Sequence, residues 1–199
     1  MRKITVLEFM TIDGVMQAPG GPEEDKGQAF PFGGWQHPFM DDEVMGAVNE
    51  QELKEPVEYL LGRTTFDIWE AYWPTHSEFW PLINSNMKYV LSTTRTQTDW
   101  ENTTFLQSIE DIKKLKESDG PDLQVWGSSK VVHALLEHDL VDEMRLMTFP
   151  IILGQGKKVF ADGATPATFT LTDSKTGPSG AICARYTRAG EVKTGTMGE

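Results

Sequence analysis

The sequence predicts an α/β domain, a three-layer αβα arrangement around a mixed, mostly parallel sheet with antiparallel strands at its C-terminal edge. Two observations predict it. Over the first two thirds of the 199 residues, β-branched and aromatic runs alternate with segments of helical period, which yields a largely parallel sheet covered on both faces. In the last third the apolar runs follow one another with no helix between them, so they pair antiparallel at one edge. No repeat and no linker breaks the pattern. Residues 1–190 are expected to form one domain, and residues 191–199, with little to bury, a flexible tail.

Residues 3–10 are rich in β-branched and aromatic side chains and predict the first strand, closed by a turn at Asp13-Gly14. Residues 14–40 are rich in Gly and Pro and contain Phe30, Phe32 and Trp35, so they form a long loop whose aromatics argue against simple disorder. Residues 41–55 predict a helix capped by Asp41 or Asp42 and stopped by Pro56. A buried strand follows over 57–62, then a helix from Thr64 or Thr65 carrying Phe66, Ile68 and Trp69. Residues 76–84 predict a short helical segment, 88–92 a strand, and 109–117 a helix capped by Ser108 and ended by Gly120-Pro121. Residues 123–127 form a strand and 128–138 a helix that turns Val131, Val132, Leu135 and Leu136 inward. Three more strands are expected over 142–150, 167–176 and 181–188.

Composition removes several classes of function. The net charge of −12 repels phosphate backbones and argues against nucleic-acid binding. No apolar run approaches the roughly 20 residues that cross a bilayer, and the N-terminal run reaches Glu8 too early for a signal peptide. A cytoplasmic protein with no membrane partner is expected. Cys183 is the only cysteine, which rules out an internal disulfide and a multi-thiolate zinc site; no metal is expected. An acidic protein that takes an anionic cofactor must gather its few cations locally, so the arginines carry information.

Three strand ends place small or hydroxyl residues directly after an apolar run: Gly62-Arg63-Thr64-Thr65, Ser92-Thr93-Thr94-Arg95 and Gly127-Ser128-Ser129-Lys130. Each suits a phosphate, because glycine admits close backbone approach, hydroxyls and free amides donate, and a helix N-terminus is electropositive. Arg63 and Arg95 add charge for a further phosphate. Any one of these segments alone is equally an N-cap with a tight turn; three in succession point to a nucleotide. The usual Gly-x-Gly-x-x-Gly fingerprint is missing, and Gly154-Gln155-Gly156-Lys157-Lys158 lacks the leading glycine and trailing hydroxyl of a phosphate loop.

Leu60-Leu61-Gly62-Arg63-Thr64-Thr65-Phe66 resembles the apolar-apolar-Gly-Arg-x-Thr-aromatic segment of the dihydrofolate reductase-like family and of its riboflavin-biosynthesis reductase branch. Val90-Leu91-Ser92, the block from Val125 through Asp142-Glu143, the segment from Pro150 to Phe160, and Asp13-Gly14 resemble the family in the same order. The resemblance implies the dihydrofolate reductase-like fold, NADPH as cofactor and a homodimer. It places Arg63 and Thr64, with Gly62 and Thr65, near the 2′-phosphate and pyrophosphate, Ser92 and Arg95 at the adenosine end, and Gly127, Ser128, Ser129 and Lys130 around the pyrophosphate. Ser128 stands where the family has a second glycine, and its Cβ is expected to crowd the phosphate or shift the loop.

The resemblance also implies an acid on the helix after the first loop. Asp41, Asp42 and Glu43 lie there; Asp42 is the candidate, although no motif selects among the three and all suit helix capping. Asp13 is a second candidate, equally explained by an Asx turn. Trp35 and His37 could close over the site, and Trp69, Tyr72 and Trp73 could wall a substrate or simply be core. The substrate expected is small and heterocyclic or carbonyl-like. No basic cluster suits a ribose phosphate, Lys157 and Lys158 being expected in a solvated turn, and the loop and first helix match the folate branch poorly. Two other readings fit the same residues: a dinucleotide-binding or regulatory module without turnover, and an interaction protein whose hydroxyls are only caps.

Overall fold

The computed structural model describes residues 1–53, 56–78, 80–160 and 164–198. Its elements run β1 (Ile4–Thr11), α1 (Asp42–Leu53), β2 (Val57–Gly62), α2 (Arg63–Tyr72), α3 (Leu82–Ser85), β3 (Lys88–Leu91), β4 (Thr103–Leu106), α4 (Ile109–Glu117), β5 (Asp122–Trp126), α5 (Ser129–Glu137), β6 (Glu143–Phe149), β7 (Thr168–Thr176) and β8 (Ile182–Gly190). The strands form one sheet in the order β4-β3-β2-β5-β1-β6-β8-β7. From β4 to β6 neighbours are parallel. β8 runs antiparallel to both β6 and β7.

Burial explains the layers. On β1, Ile4 and Val6 join a cluster with Ile112 of α4 and Val131, Val132, Leu135 and Leu136 of α5. Leu7, one residue on, points to the opposite face and packs with Phe66 and Trp69 of α2 and Ile83 of α3. This period-2 alternation is what a strand covered on both sides requires. α1 seals the same face nearer β6, where Val44 packs with Trp35, Met147 and Phe149. The result is the dihydrofolate reductase-like three-layer fold.

α4 begins as expected. Ser108 Oγ accepts from Asp111 N at 3.3 Å while the Asp111 carboxylate accepts from Ser108 N at 3.1 Å. Two elements differ from expectation. Residues 103–106 form an edge strand that sequence reasoning left out, and of the helical segment expected over 76–84 only residues 82–84 are helical, in the one-turn α3. Pro81 explains the second: it has no amide donor, so it can precede a helix, as it does for α3, but not sit inside one. Residues 54 and 55, the expected last turn of α1, lie outside the described residues. Residues 191–198 are exposed and form no strand or helix. No helix among the described residues is long and apolar enough to cross a membrane.

Candidate functional site

The C-terminal ends of β1, β2, β3 and β5 open onto one cleft of about 1550 Å³. Ligands in open α/β sheets bind at this end of the strands. One half is lined by residues 62–65, 92–94 and 127–130, the three hydroxyl-rich strand ends. The other is lined by loop residues 16–26, Phe9, and an aromatic wall that includes Trp69, Trp73, Trp80 and Trp126.

Two of the three strand ends run into helices. Gly62 is the N-cap of α2 and Ser128 that of α5. At β5 the chain turns through two left-handed residues, Gly127 (φ +56°) and Ser128 (φ +60°). A Cβ on Gly127 would stand 3.2 Å from Thr65 Oγ1, so glycine is needed there for both space and conformation. Ser128 does not crowd the cleft as expected. Its hydroxyl turns back to the sheet, accepting from Gly62 N at 2.9 Å and donating to Trp126 O at 3.0 Å. Ser128 N donates to Thr65 Oγ1 at 3.1 Å. Ser128 therefore ties the ends of β2 and β5 together. Val131 N and Val132 N bond to Ser128 O, which leaves the amides of Ser129 and Lys130, at the orphaned start of α5, for an anion.

Ser92 differs from the other two. The chain after it bends into β4 and not into a helix. Its Oγ caps that bend, accepting from Thr94 N at 3.3 Å and Arg95 N at 2.9 Å. Arg95 is a correction: it does not line the cleft. Its guanidinium pairs with Asp67 at 2.6 Å, grips both oxygens of Glu70 at 2.7 Å, and lies over the Phe66 ring. Bonding to Glu70 foremost holds it firmly protonated. Arg63 is at the cleft wall, exposed, and paired along its own helix with Asp67 at 2.6 Å.

The two expected acids lie outside the cleft. Asp13 is a clasp between the end of β1 and the segment after β6: it accepts from Thr11 Oγ1 at 2.5 Å, Gly154 N at 2.8 Å and Leu153 N at 3.3 Å. Burial opposes its ionisation, but these bonds outweigh burial and hold the carboxyl below the usual range. Asp42 is exposed on the first turn of α1. Its neighbour Asp41 makes the cap, accepting from Val44 N at 2.9 Å and Ser179 N at 3.0 Å.

The long loop is fixed by side chains. Trp35 is buried against Phe149 and donates to Gln17 O at 2.7 Å, so it is a pin and not a lid. His37 is exposed and away from the cleft. Gln17 donates to Gly27 O at 2.9 Å and accepts from Lys157 N at 3.0 Å. Lys157 is not a solvated turn residue, because its Nζ pairs with Asp25 at 2.5 Å.

Sequence reasoning missed Glu8. It stands in the middle of β1, is 2 % exposed, and belongs to the cleft wall. Burial pushes its carboxyl well above the usual carboxylate range. The signal was a lone charge inside an otherwise apolar strand, which becomes informative only when both faces of that strand are covered.

Comparison with known proteins agrees with this architecture. The family described as RibD C-terminal domain matches residues 2–183. The uncharacterized protein YyaP of Bacillus subtilis (strain 168) is 33 % identical over 131 residues, covering 62 % of this chain and 69 % of that protein. A Shewanella sp. PV-4 structure named for riboflavin biosynthesis superposes with a TM-score of 0.70 at 21 % identity, over 94 % of this chain and 99 % of that one; at that identity it speaks for the fold.

Proposed function

Because the chain belongs to the family of RibD C-terminal domains, a dinucleotide-binding, reductase-like family, we propose that it is an NADPH-dependent oxidoreductase transferring a hydride to a small, uncharged heterocyclic or carbonyl-like substrate. One observation carries the reading: two helix N-termini, the Gly127–Ser128 step and Arg63 border a single cleft with an aromatic far end.

The residues fit the cofactor. The bare Cα of Gly127 leaves room for close approach, and the amides of Ser129 and Lys130 suit a pyrophosphate. Arg63, held by a surface i,i+4 pair worth a few tenths of a kcal/mol, can exchange Asp67 for a 2′-phosphate. NADPH, when bound, supplies the hydride. The chain positions the reactants and excludes water with Trp69, Trp73, Trp80 and Trp126. The loop side of the cleft offers Lys26 and Lys157, each already ion-paired, beside Glu23, Glu24 and Asp25. That balance disfavours a phosphorylated substrate.

The test is titration with NADPH and NADH, followed by tryptophan fluorescence and melting temperature. NADPH should raise the melting point. Arg63→Ala should weaken NADPH by roughly 10- to 100-fold, the worth of charge-assisted bonds of about 1.5–3 kcal/mol, and leave NADH nearly unchanged. Equal losses would remove Arg63 from that role, and no shift with either nucleotide would end the reading. A binding module without turnover is the second reading, favoured by Asp13 and Asp42 lying outside the cleft; NADPH binding without consumption across quinones, pterins and aldehydes would establish it.

A further inference from the structure

Among the described residues, two buried oxygens of the cleft have no hydrogen-bond partner: Glu8 Oε1 and Gln36 Oε1. Folded proteins satisfy the large majority of such atoms. An orphaned amide oxygen is a modest cost, whereas an isolated buried carboxylate is prohibitive, so Glu8 is the anomaly. Packing alone would place a branched aliphatic residue here. Ile4 and Val6 precede Glu8 on the same face of β1, and the residue level with it on β6 is Leu146.

Ionised Glu8 would need a cation, and none among the described residues is bonded to it. Among the charged groups of the cleft, Lys26 pairs with Glu23, Arg63 with Asp67, and Lys157 with Asp25. Lys130 is exposed on the first turn of α5. Glu24 takes the amides of Gly20 and Gly21. On β6, Glu143 and Arg145 close on each other. Burial pushes the Glu8 carboxyl up and favours the protonated form. A protonated carboxyl buried at a ligand cleft, with one oxygen unpartnered among the described residues, is arranged for an acceptor on the ligand.

We propose that Glu8 is the acid of this cleft: its carboxyl O–H donates a hydrogen bond, and on reduction its proton, to the carbonyl oxygen or imine nitrogen of an uncharged, planar, conjugated substrate. This rests on the reductase reading. The proton leaves the Glu8 oxygen and forms an O–H or N–H bond at the substrate heteroatom. The lone pair for that bond comes from the π bond broken as the neighbouring carbon takes up a hydride. The electrons are those of the reduced pyridine nucleotide. Glu8, left as a carboxylate, regains a proton from water at the cleft mouth, and its buried charge favours that return.

The probe is 4-dimethylaminocinnamaldehyde, an uncharged planar conjugated aldehyde whose absorption moves to the red when its oxygen accepts a hydrogen bond or proton. Wild-type protein at pH 7 should bind it with a red shift. The shift should vanish in Glu8→Leu and fade as pH rises through the ionisation of Glu8. Infrared difference spectra should show a protonated carboxyl band at pH 7 that is missing in Glu8→Gln, a readout that needs neither probe nor cofactor. With NADPH, Glu8→Gln should reduce the probe on the order of 100-fold or more slowly with nucleotide affinity unchanged within about twofold. A red shift that persists in Glu8→Leu, a carboxyl band that survives in Glu8→Gln, or failure of wild type to bind the probe at millimolar concentration would overturn the assignment. NADPH binding without the red shift condemns Glu8 alone; a red shift without NADPH binding condemns the nucleotide reading alone.

Discussion

Ser128 offers the sharpest quantitative test of how the cleft is built. Replacing it with alanine removes both Oγ bonds, to Gly62 N and Trp126 O, and keeps the left-handed backbone at φ +60°. Each bond is worth about 0.5–1.5 kcal/mol net, so Ser128→Ala should cost about 1–3 kcal/mol. Glycine loses the same bonds but relieves about 1–2 kcal/mol of left-handed strain and forfeits about 0.4–1 kcal/mol of unfolded-state entropy. Ser128→Gly should therefore be the milder change, by roughly 1 kcal/mol. Urea unfolding of the three proteins by tryptophan fluorescence measures both differences. NADPH titration adds a second axis, because glycine frees the Gly62 amide for a phosphate and should hold or raise affinity. If alanine stays within about 0.3 kcal/mol of wild type, the hydroxyl does not tie β2 to β5. If glycine is more stable than wild type, strain outweighs the bonds and the arithmetic fails.

Other consequences are as direct. Glu8 holds a proton in the fold that the unfolded chain releases near the ordinary value of 4.5, so wild-type stability is full at low pH and is lost as pH rises from there toward the raised folded value. Glu8→Gln removes that loss, and melts between pH 5 and 9 should show it gaining on wild type by up to about 1.4 kcal/mol per pH unit within the window; parallel profiles would refute burial as the cause. Asp13→Ala strands the amides of Leu153 and Gly154 and should cost about 1–3 kcal/mol without slowing reduction. Because the fold depresses this carboxyl, its contribution is present above the unfolded value and disappears in acid as pH falls through the folded one. Arg95→Ala should cost about 1–2 kcal/mol through its partly exposed pairs with Asp67 and Glu70 and leave the NADPH-to-NADH preference intact, unlike Arg63→Ala. β7 is an edge strand exposed over most of its length, with Leu171 at 53 %; a homodimer should appear as twice the monomer mass in light scattering at micromolar protein, and a monomer mass would contradict it.

What the sequence made legible follows from the range of the forces involved. α4 and α5 were readable because capping and a 3.6-residue apolar period are local. β1 and β2 were readable because β-branched and aromatic runs are local as well. β4 was not, because four residues at a sheet edge with polar flanks carry no period, and only pairing with β3 makes them a strand. That the strand-end clusters gather at one cleft was readable since the residue types sit at the junctions themselves. Which arginine borders the cleft was not: Arg63 and Arg95 look alike in sequence, and only the placement of Glu70 one turn beyond Asp67 on α2, opposite the loop after β3, takes Arg95 out of the cleft.

Glu8 shows the same limit from the other side. A charge in an alternating strand is unremarkable if the sheet is wet on one face, since half its side chains point to water. Its meaning depends on β1 lying between β5 and β6 with helices above and below, a fact of topology that no window of the sequence contains. Once that position is fixed, the carboxyl is buried, its Oε1 has no hydrogen-bond partner among the described residues, and the surface it borders is the cleft. The same crossover connections that bring the ends of β2 and β5 together at the cleft therefore also bury Glu8 in its wall. The hydroxyl-rich half of the cleft and its buried carboxyl are two results of one strand order.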